Sequence, residues 1–334
     1  MRITQPPRLS LARLPTPLVP LDRLSREIGG PRIWMKRDDL TGSALSGNKV
    51  RKLEFTFAQA LTEGCDTLIT CGGLQSNHCR ATAIIGARLG LKVHLFLRGV
   101  PAGLPDGNLF LDHIVGAEFS FYPREEYYAR HSEIFSELAE HYVKLGRKVF
   151  IVPAGASDEI GLWGYVVACK ELKTESEDLG FSPDFIVCAN GSGGTLAGLV
   201  AGNIYHNIGT TVWGINVADD NAQYFEAKIR NDLRAWRERY GQDLDVQTPA
   251  INVIDGYLGP CYGKAEPVVF DTISRVAKTE GIILDPVYTG KAFHAMLKEI
   301  ENGRLSSANN IVFVHTGGIF GLFAQRHEFR FRND

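Results

Sequence analysis

The chain has 334 residues, which at roughly 150 residues per domain suggests two domains, each able to bury its own core. Hydrophobic residues make up 44% and charged residues 22%, ordinary globular usage that excludes a disordered chain, collagen or a disulfide-dense miniprotein. Lys plus Arg total 36 against 38 Asp plus Glu, a net charge of −2, so no basic field attracts nucleic acid.

The start of the chain carries Pro6, Pro7, Pro15, Pro17 and Pro20 among arginines, with no apolar run, so no secretory leader is expected. A helix is predicted over 50–61, capped by Ser46 or Asn48. Lys49 stands at its start, where the helix dipole and the neighbouring Arg51 and Lys52 disfavour the ammonium and ease access to the neutral amine that a Schiff base requires. Read alone, a lysine in that place is most often solvated. A strand-like run at 66–70 leads into Cys71-Gly72-Gly73-Leu74-Gln75-Ser76-Asn77-His78, which sets polar side chains before a helix at 79–89. The apolar stretch 84–97 is broken by Arg88, Lys92 and His94, too short for a membrane span.

Further strand-like runs lie at 92–97, 148–152, 185–189, 212–217 and 311–315, with an amphipathic helix at 132–145 and a solvated helical face at 226–239. After 185–189 comes Ala189-Asn190-Gly191-Ser192-Gly193-Gly194-Thr195, then a small-residue helix at 196–202. These glycines let backbone N–H groups converge on an anion, and a phosphate fits there. The loop is no dinucleotide fingerprint, because Leu196 stands where the third glycine belongs. Tyr257 and Tyr262 lie in a Gly/Pro-broken loop, Tyr288 in the turn before an amphipathic stretch at 292–300, and Thr316 just past the strand at 311–315. Strands alternating with helices read as α/β, with open, mostly parallel sheets flanked by helices and ligands at the strands' carboxyl ends.

Two other chemistries fail on spacing. His131-Ser132-Glu133 and Pro260-Cys261 look like halves of a zinc deaminase pattern, but Lys264 replaces its second cysteine, so His131 reads as a surface histidine and no metal is expected. Gly155-Ala156-Ser157-Asp158-Glu159 misses the nucleophile-elbow pattern at its last position. The six cysteines are scattered without a C-x-x-C pair and read as reduced thiols of a cytoplasmic protein.

Taken in order, Leu14-Pro15-Thr16-Pro17-Leu18, Lys36-Arg37-Asp38-Asp39, Gly47-Asn48-Lys49, Gln75-Ser76-Asn77-His78, Gly191-Ser192-Gly193-Gly194-Thr195, Leu284-Asp285-Pro286-Val287-Tyr288 and His315-Thr316-Gly317-Gly318 resemble the fold type II pyridoxal-phosphate enzymes. The resemblance is to the branch that holds D-cysteine desulfhydrase and 1-aminocyclopropane-1-carboxylate (ACC) deaminase. It implies a two-domain, tryptophan synthase β-like fold: a large domain from 1–49 and 159–334, a small one from 50–158, and a homodimer. It implies pyridoxal 5'-phosphate held covalently by Lys49, which later moves the Cα proton. Asn77 would bind the phenolic oxygen, and Gly191, Ser192, Gly193, Gly194 and Thr195 the phosphate. Ser76, with Gln75, would take the carboxylate of a small amino-acid substrate, while Tyr262 and Tyr288 flank its reacting side chain.

ACC deaminases carry Glu after the tyrosine matching Tyr288; here Thr289 stands there, which leaves Thr316 to offer a neutral hydroxyl to the pyridine nitrogen. That weaker electron sink favours β-elimination, so D-cysteine desulfhydrase activity, yielding pyruvate, ammonia and hydrogen sulfide, is the expectation. ACC deaminase and L-cysteate sulfo-lyase are the alternatives, with a cofactor carrier or a nicotinamide oxidoreductase behind them. Ser46, where glycine is usual, and Cys261, beside the expected pocket, depart from the pattern.

Overall fold

The computed structural model describes residues 5–240 and 249–330. In chain order it runs β1 (Leu18–Pro20), α1 (Asp22–Ile28), β2 (Arg32–Lys36), α2 (Asn48–Thr62), β3 (Thr67–Gly73), α3 (Asn77–Leu89), β4 (Lys92–Arg98), α4 (Gly107–Ile114), β5 (Glu118–Tyr122), α5 (Arg124–Ala129), α6 (His131–Lys144) and β6 (Val149–Ile151). It continues with α7 (Trp163–Asp178), β7 (Phe185–Asn190), α8 (Gly194–Tyr205), β8 (Thr211–Asn216), α9 (Ala222–Tyr240), β9 (Asn252–Ile254), α10 (Pro267–Glu280), α11 (Thr289–Glu301), β10 (Asn310–Val314) and α12 (Ile319–Phe323). Among the described residues no helix is long and apolar enough to cross a membrane.

The strands form a six-stranded sheet in the order β1-β2-β10-β7-β8-β9 and a four-stranded sheet in the order β5-β4-β3-β6. Every pairing is parallel except β1 with β2, as crossover helices on both faces require. Side chains of β10 alternate accordingly. Ile311 and Phe313 pack with Ile33, Met35 and Phe293 on one face, while Val312 and Val314 pack with Trp34, Trp163 and Leu196 on the other. In the smaller sheet Leu68, Leu95 and Leu97 meet Val50, Leu53 and Phe57 of α2, whereas Ile69, Cys71 and Phe96 meet Tyr127 and Ile134 of α5 and α6.

Helix α2 joins the two sheets. It starts at Asn48, earlier than expected, and no side chain caps it. Ser46 Oγ instead donates to the Asp39 carbonyl at 2.8 Å, and Asn48 reaches across to Thr195 at 3.0 Å. The turn into the helix needs glycine: Gly47 has φ +111°, and a Cβ there would lie 2.7 Å from the Thr316 carbonyl oxygen. The Asn48 N–H donates to that carbonyl at 3.1 Å, which places the start of α2 against the end of β10. Helix α9 buries one stripe, Phe225, Ile229, Leu233 and Trp236, and solvates the rest as its charge pattern predicts.

Candidate active site

The carboxyl ends of β3, β7 and β10 open into a cavity of about 570 Å³, a size suited to a small organic ligand. Its wall brings together Lys49, Ser76, Asn77, Gly191, Ser192, Gly193, Thr195, Tyr262, Tyr288 and Thr316, which arrive from separate stretches of the chain.

Lys49 lies in the first turn of α2, and burial pulls its ammonium down to about 8, against a weaker opposing influence from Cys79. Arg51 has no part in that shift. Its guanidinium turns away to Asp38 and Glu171, at 2.8 and 2.9 Å. A Cβ added to Gly155 would meet Ser192 Oγ at 2.5 Å and Lys49 Nζ at 3.2 Å, so the lysine amine and the glycine-rich loop face one space.

Beneath that loop sits Lys52, buried, which donates to the Gly155 carbonyl and to Ser157 Oγ at 2.9 Å. Burial, then the charge of Lys49, holds its ammonium well below the usual range. Gly194 lies behind the wall as the first residue of α8, and a Cβ there would come within 2.6 Å of both Lys52 Nζ and Ser157 Oγ. Ser157 and Ser192 hydroxyls share a hydrogen bond of 2.8 Å. From α9, Lys228 donates to the Ser157 carbonyl at 3.1 Å and pairs with Asp232 at 2.6 Å.

Ser76 caps α3, its Oγ accepting the Cys79 N–H at 3.1 Å. Asn77 Oδ1 accepts from Asn108 Nδ2 of α4 at 3.1 Å, which fixes its amide and leaves its own NH₂ to the cavity. Gln75 is turned elsewhere and does not line this cavity. Its Nε2 donates to the Asp106 carbonyl and its Oε1 accepts the Asn108 N–H, both at 2.9 Å, so its side chain tethers the start of α4.

The hydroxyls of Tyr262 and Tyr288 hydrogen-bond to each other, with ring centroids 5.9 Å apart and planes at 71°. Burial pushes both phenols up, so they are protonated donors at neutral pH. Thr289 is withdrawn from the cavity: its hydroxyl and N–H both donate to Asp285 Oδ1 at 2.7 Å, and the Asp285 carboxylate caps α11. Thr316, two residues past the end of β10, lies in the wall. Among the described residues, the wall's carboxylates are Asp219 and Asp220, both from the loop after β8.

His131 is no surface histidine. It is half-buried in the cavity wall, its Nε2 3.4 Å from Cys71 Sγ. Tyr257 bonds Glu299 at 2.6 Å, and neither Ser46 nor Cys261 reaches the cavity. Sequence reasoning read Lys52 only as a charge beside Lys49, weighed Ser157 only as a nucleophile, and assigned no part to Lys228, Arg98 or Asn108. For Lys52 a signal existed, since a lysine three residues after Lys49 shares its helix face; the others are brought in by long-range packing.

The residues suit the phosphorylated aldehyde cofactor implied above. A lysine amine shifted toward neutrality faces a cradle that a single Cβ at Gly155 would fill, and that cradle is backed by Lys52, Ser157 and Ser192. An anion with one aldehyde matches this donor set.

Comparison with known proteins agrees. The profile described as "Pyridoxal-phosphate dependent enzyme" matches residues 9–317. A Thermotoga maritima protein provisionally named 1-aminocyclopropane-1-carboxylate deaminase is 46% identical over 318 residues, covering 95% of this chain and 98% of its own. The D-cysteine desulfhydrase of Klebsiella pneumoniae is 36% identical over 328 residues, covering 96% and 97%. A solved structure titled as an ACC deaminase homologue superposes with a TM-score of 0.86 at 38% identity, over 97% of this chain and 95% of that one. The chain belongs to the pyridoxal-phosphate dependent enzyme family.

Proposed function

We propose that the enzyme eliminates the β-substituent of D-cysteine, or of a similar β-substituted amino acid, releasing hydrogen sulfide from D-cysteine and an enamine that one water hydrolyses to pyruvate and ammonia. Lys49 would hold the cofactor covalently, Gly191 to Thr195 with Lys52 its phosphate, Asn77 its phenolic oxygen and Thr316 its ring nitrogen. When bound, pyridoxal phosphate supplies an electron sink for the bond broken at Cα.

Ser76 and the N–H groups at the start of α3 bind the substrate carboxylate, an anion placed at the positive end of a helix. Lys49, whose ammonium desolvation pulls down to about 8, takes the Cα proton. The Tyr262–Tyr288 pair donates a hydrogen bond to the departing sulfur and supplies its proton.

The observation that carries this reading is that Thr316 lies in the cavity wall while, among the described residues, that wall has no carboxylate from β10 or α11. The carboxylates in the wall lie in the loop after β8, and Thr289 is spent on the cap of α11. A hydroxyl leaves the ring nitrogen unprotonated and the sink weak. That suits a reaction in which a leaving group carries electrons away, and suits ring opening of ACC poorly.

ACC deamination is the second reading, favoured by the names of the Thermotoga relative and of the solved homologue. Keto-acid release from D-cysteine, L-cysteine, L-cysteate and ACC, assayed side by side, separates them. Pyruvate with sulfide from D-cysteine supports the proposal; 2-oxobutyrate from ACC as the dominant product overturns it and favours the deaminase.

A further inference from the structure

Arg98, the last residue of β4, lies in the cavity wall and has no part in the scheme above. Its guanidinium carbon stands 5.0 Å from the ring centre of Tyr262, 5.2 Å from that of Tyr128 and 5.8 Å from that of Tyr127. It donates to the Tyr128 hydroxyl. Aromatic faces attract a guanidinium without neutralising it. Among the described residues no carboxylate comes within ion-pair distance of it; the wall's Asp219 pairs with Arg124 at 2.6 Å and accepts the Tyr262 N–H at 3.0 Å.

A cation so placed keeps its charge and most of its five donors for something in the cavity. The Tyr262 ring on which it rests carries the hydroxyl bonded to Tyr288, the pair assigned above to the reacting side chain. Position and charge therefore coincide at the substrate's side-chain end, while the Ser76 turn serves the α-carboxylate.

We infer that Arg98 is the specificity-determining residue of this cavity, binding an anionic group on the substrate side chain: a sulfonate, a carboxylate, or the thiolate as it leaves. The inference rests on the proposed placement of the substrate side chain at the tyrosine pair. It favours, among β-substituted amino acids, those whose side chain is anionic or becomes so as the β-bond breaks.

Calorimetric titration of the holoenzyme tests this with ligand pairs that carry no β-leaving group and differ in side-chain charge: asparagine against aspartate and glutamine against glutamate, in each enantiomer. In Arg98→Gln the anionic member should bind about tenfold or more weakly, as loss of a charge-assisted hydrogen bond predicts, with the neutral member within about twofold and Arg98→Lys recovering part of the difference. Equal weakening of both members would make Arg98 a holder of the wall or of the common carboxylate, and unchanged binding of both would remove it from the site; either overturns the inference. If Arg98→Gln does not fold, the salt dependence of the wild-type protein decides, because only the anionic members should weaken as chloride rises. Titration reads binding without turnover, so charge selectivity that depends on Arg98, in a protein that releases no keto acid from D-cysteine, leaves this site standing and removes the proposed reaction.

Discussion

Burial acts on Lys49 and Lys52 in the same direction, and their different surroundings give it different uses. Lys49 titrates near 8, so its reactive neutral form is a minority at pH 7 and a majority at pH 9. Covalent capture of added pyridoxal phosphate by cofactor-free protein, trapped with borohydride and read by mass spectrometry, should speed up across that interval and vanish in Lys49→Ala. A pH-independent rate would show that the amine is not the titrating group. Lys52 is held by Gly155 and Ser157 beneath the loop. Lys52→Met should weaken cofactor binding by about tenfold or more, the scale of a lost charge-assisted contact, without lowering the melting temperature of the cofactor-free protein, since it also removes a buried charge. At this scale local context singled out Lys49, Ser76, Asn77 and most of the glycine loop, which the fold brings into one cavity wall. Gln75 misled because its partners, Asp106 and Asn108, lie more than thirty positions away, beyond what local spacing encodes.

At the level of elements, α4 sets the start of α3. Asn108 donates to the Gln75 carbonyl at 3.0 Å and to Asn77 Oδ1 at 3.1 Å, and accepts from Arg80 at 3.0 Å. Asn108→Ala should destabilise the protein by about 1–3 kcal/mol, as buried partners left unpaired do, and should shift the cofactor absorption by releasing Asn77. On the same helix Asp112 is buried with both carboxylate oxygens unpartnered. Burial, only partly offset by Arg80, raises it from 3.8 to about 8. The folded protein thus keeps a proton that the unfolded chain releases, and stability should fall as pH rises between these values, by up to about 1.4 kcal/mol per pH unit. Melting temperatures from pH 5 to 8.5 check this, and Asp112→Asn should flatten the slope. Predicted strands matched those observed wherever a Gly-rich turn followed an apolar run, as at β3 and β7. β1, β2, β5 and β9 were not predicted: β1, β2 and β5 are not followed by a Gly-rich turn, and β1 and β9 span only three residues each.

Across the whole molecule, a buried ionic network joins β2, α2 and α7. Asp38 accepts from Arg51 at 2.8 and 2.9 Å, from Thr16 at 2.8 Å and from Tyr165 at 2.6 Å. Arg51 also meets Glu171, which with Glu175 pairs Lys36. Burial alone would raise the Asp38 carboxyl, but Arg51 and Tyr165 outweigh it and hold it below its ordinary 3.8. Its contribution to stability is therefore full above that value and is lost as pH falls through the lower, folded one. Asp38→Asn should cost about 3–5 kcal/mol, because it leaves Arg51 buried with a partner missing. Urea unfolding at pH 7 measures this, and a loss under 1 kcal/mol would mean Glu171 suffices for Arg51.

The cradle of glycines, serines and lysines beneath Lys49 also bears on how the protein is handled. If these donors hold the cofactor's phosphate as proposed, any small tetrahedral oxyanion suits them, so phosphate or sulfate in a purification buffer would compete with the cofactor for its anchor. Protein stripped in such a buffer would resist heat better by simple mass action, and reload more slowly, than the same protein stripped in a chloride buffer.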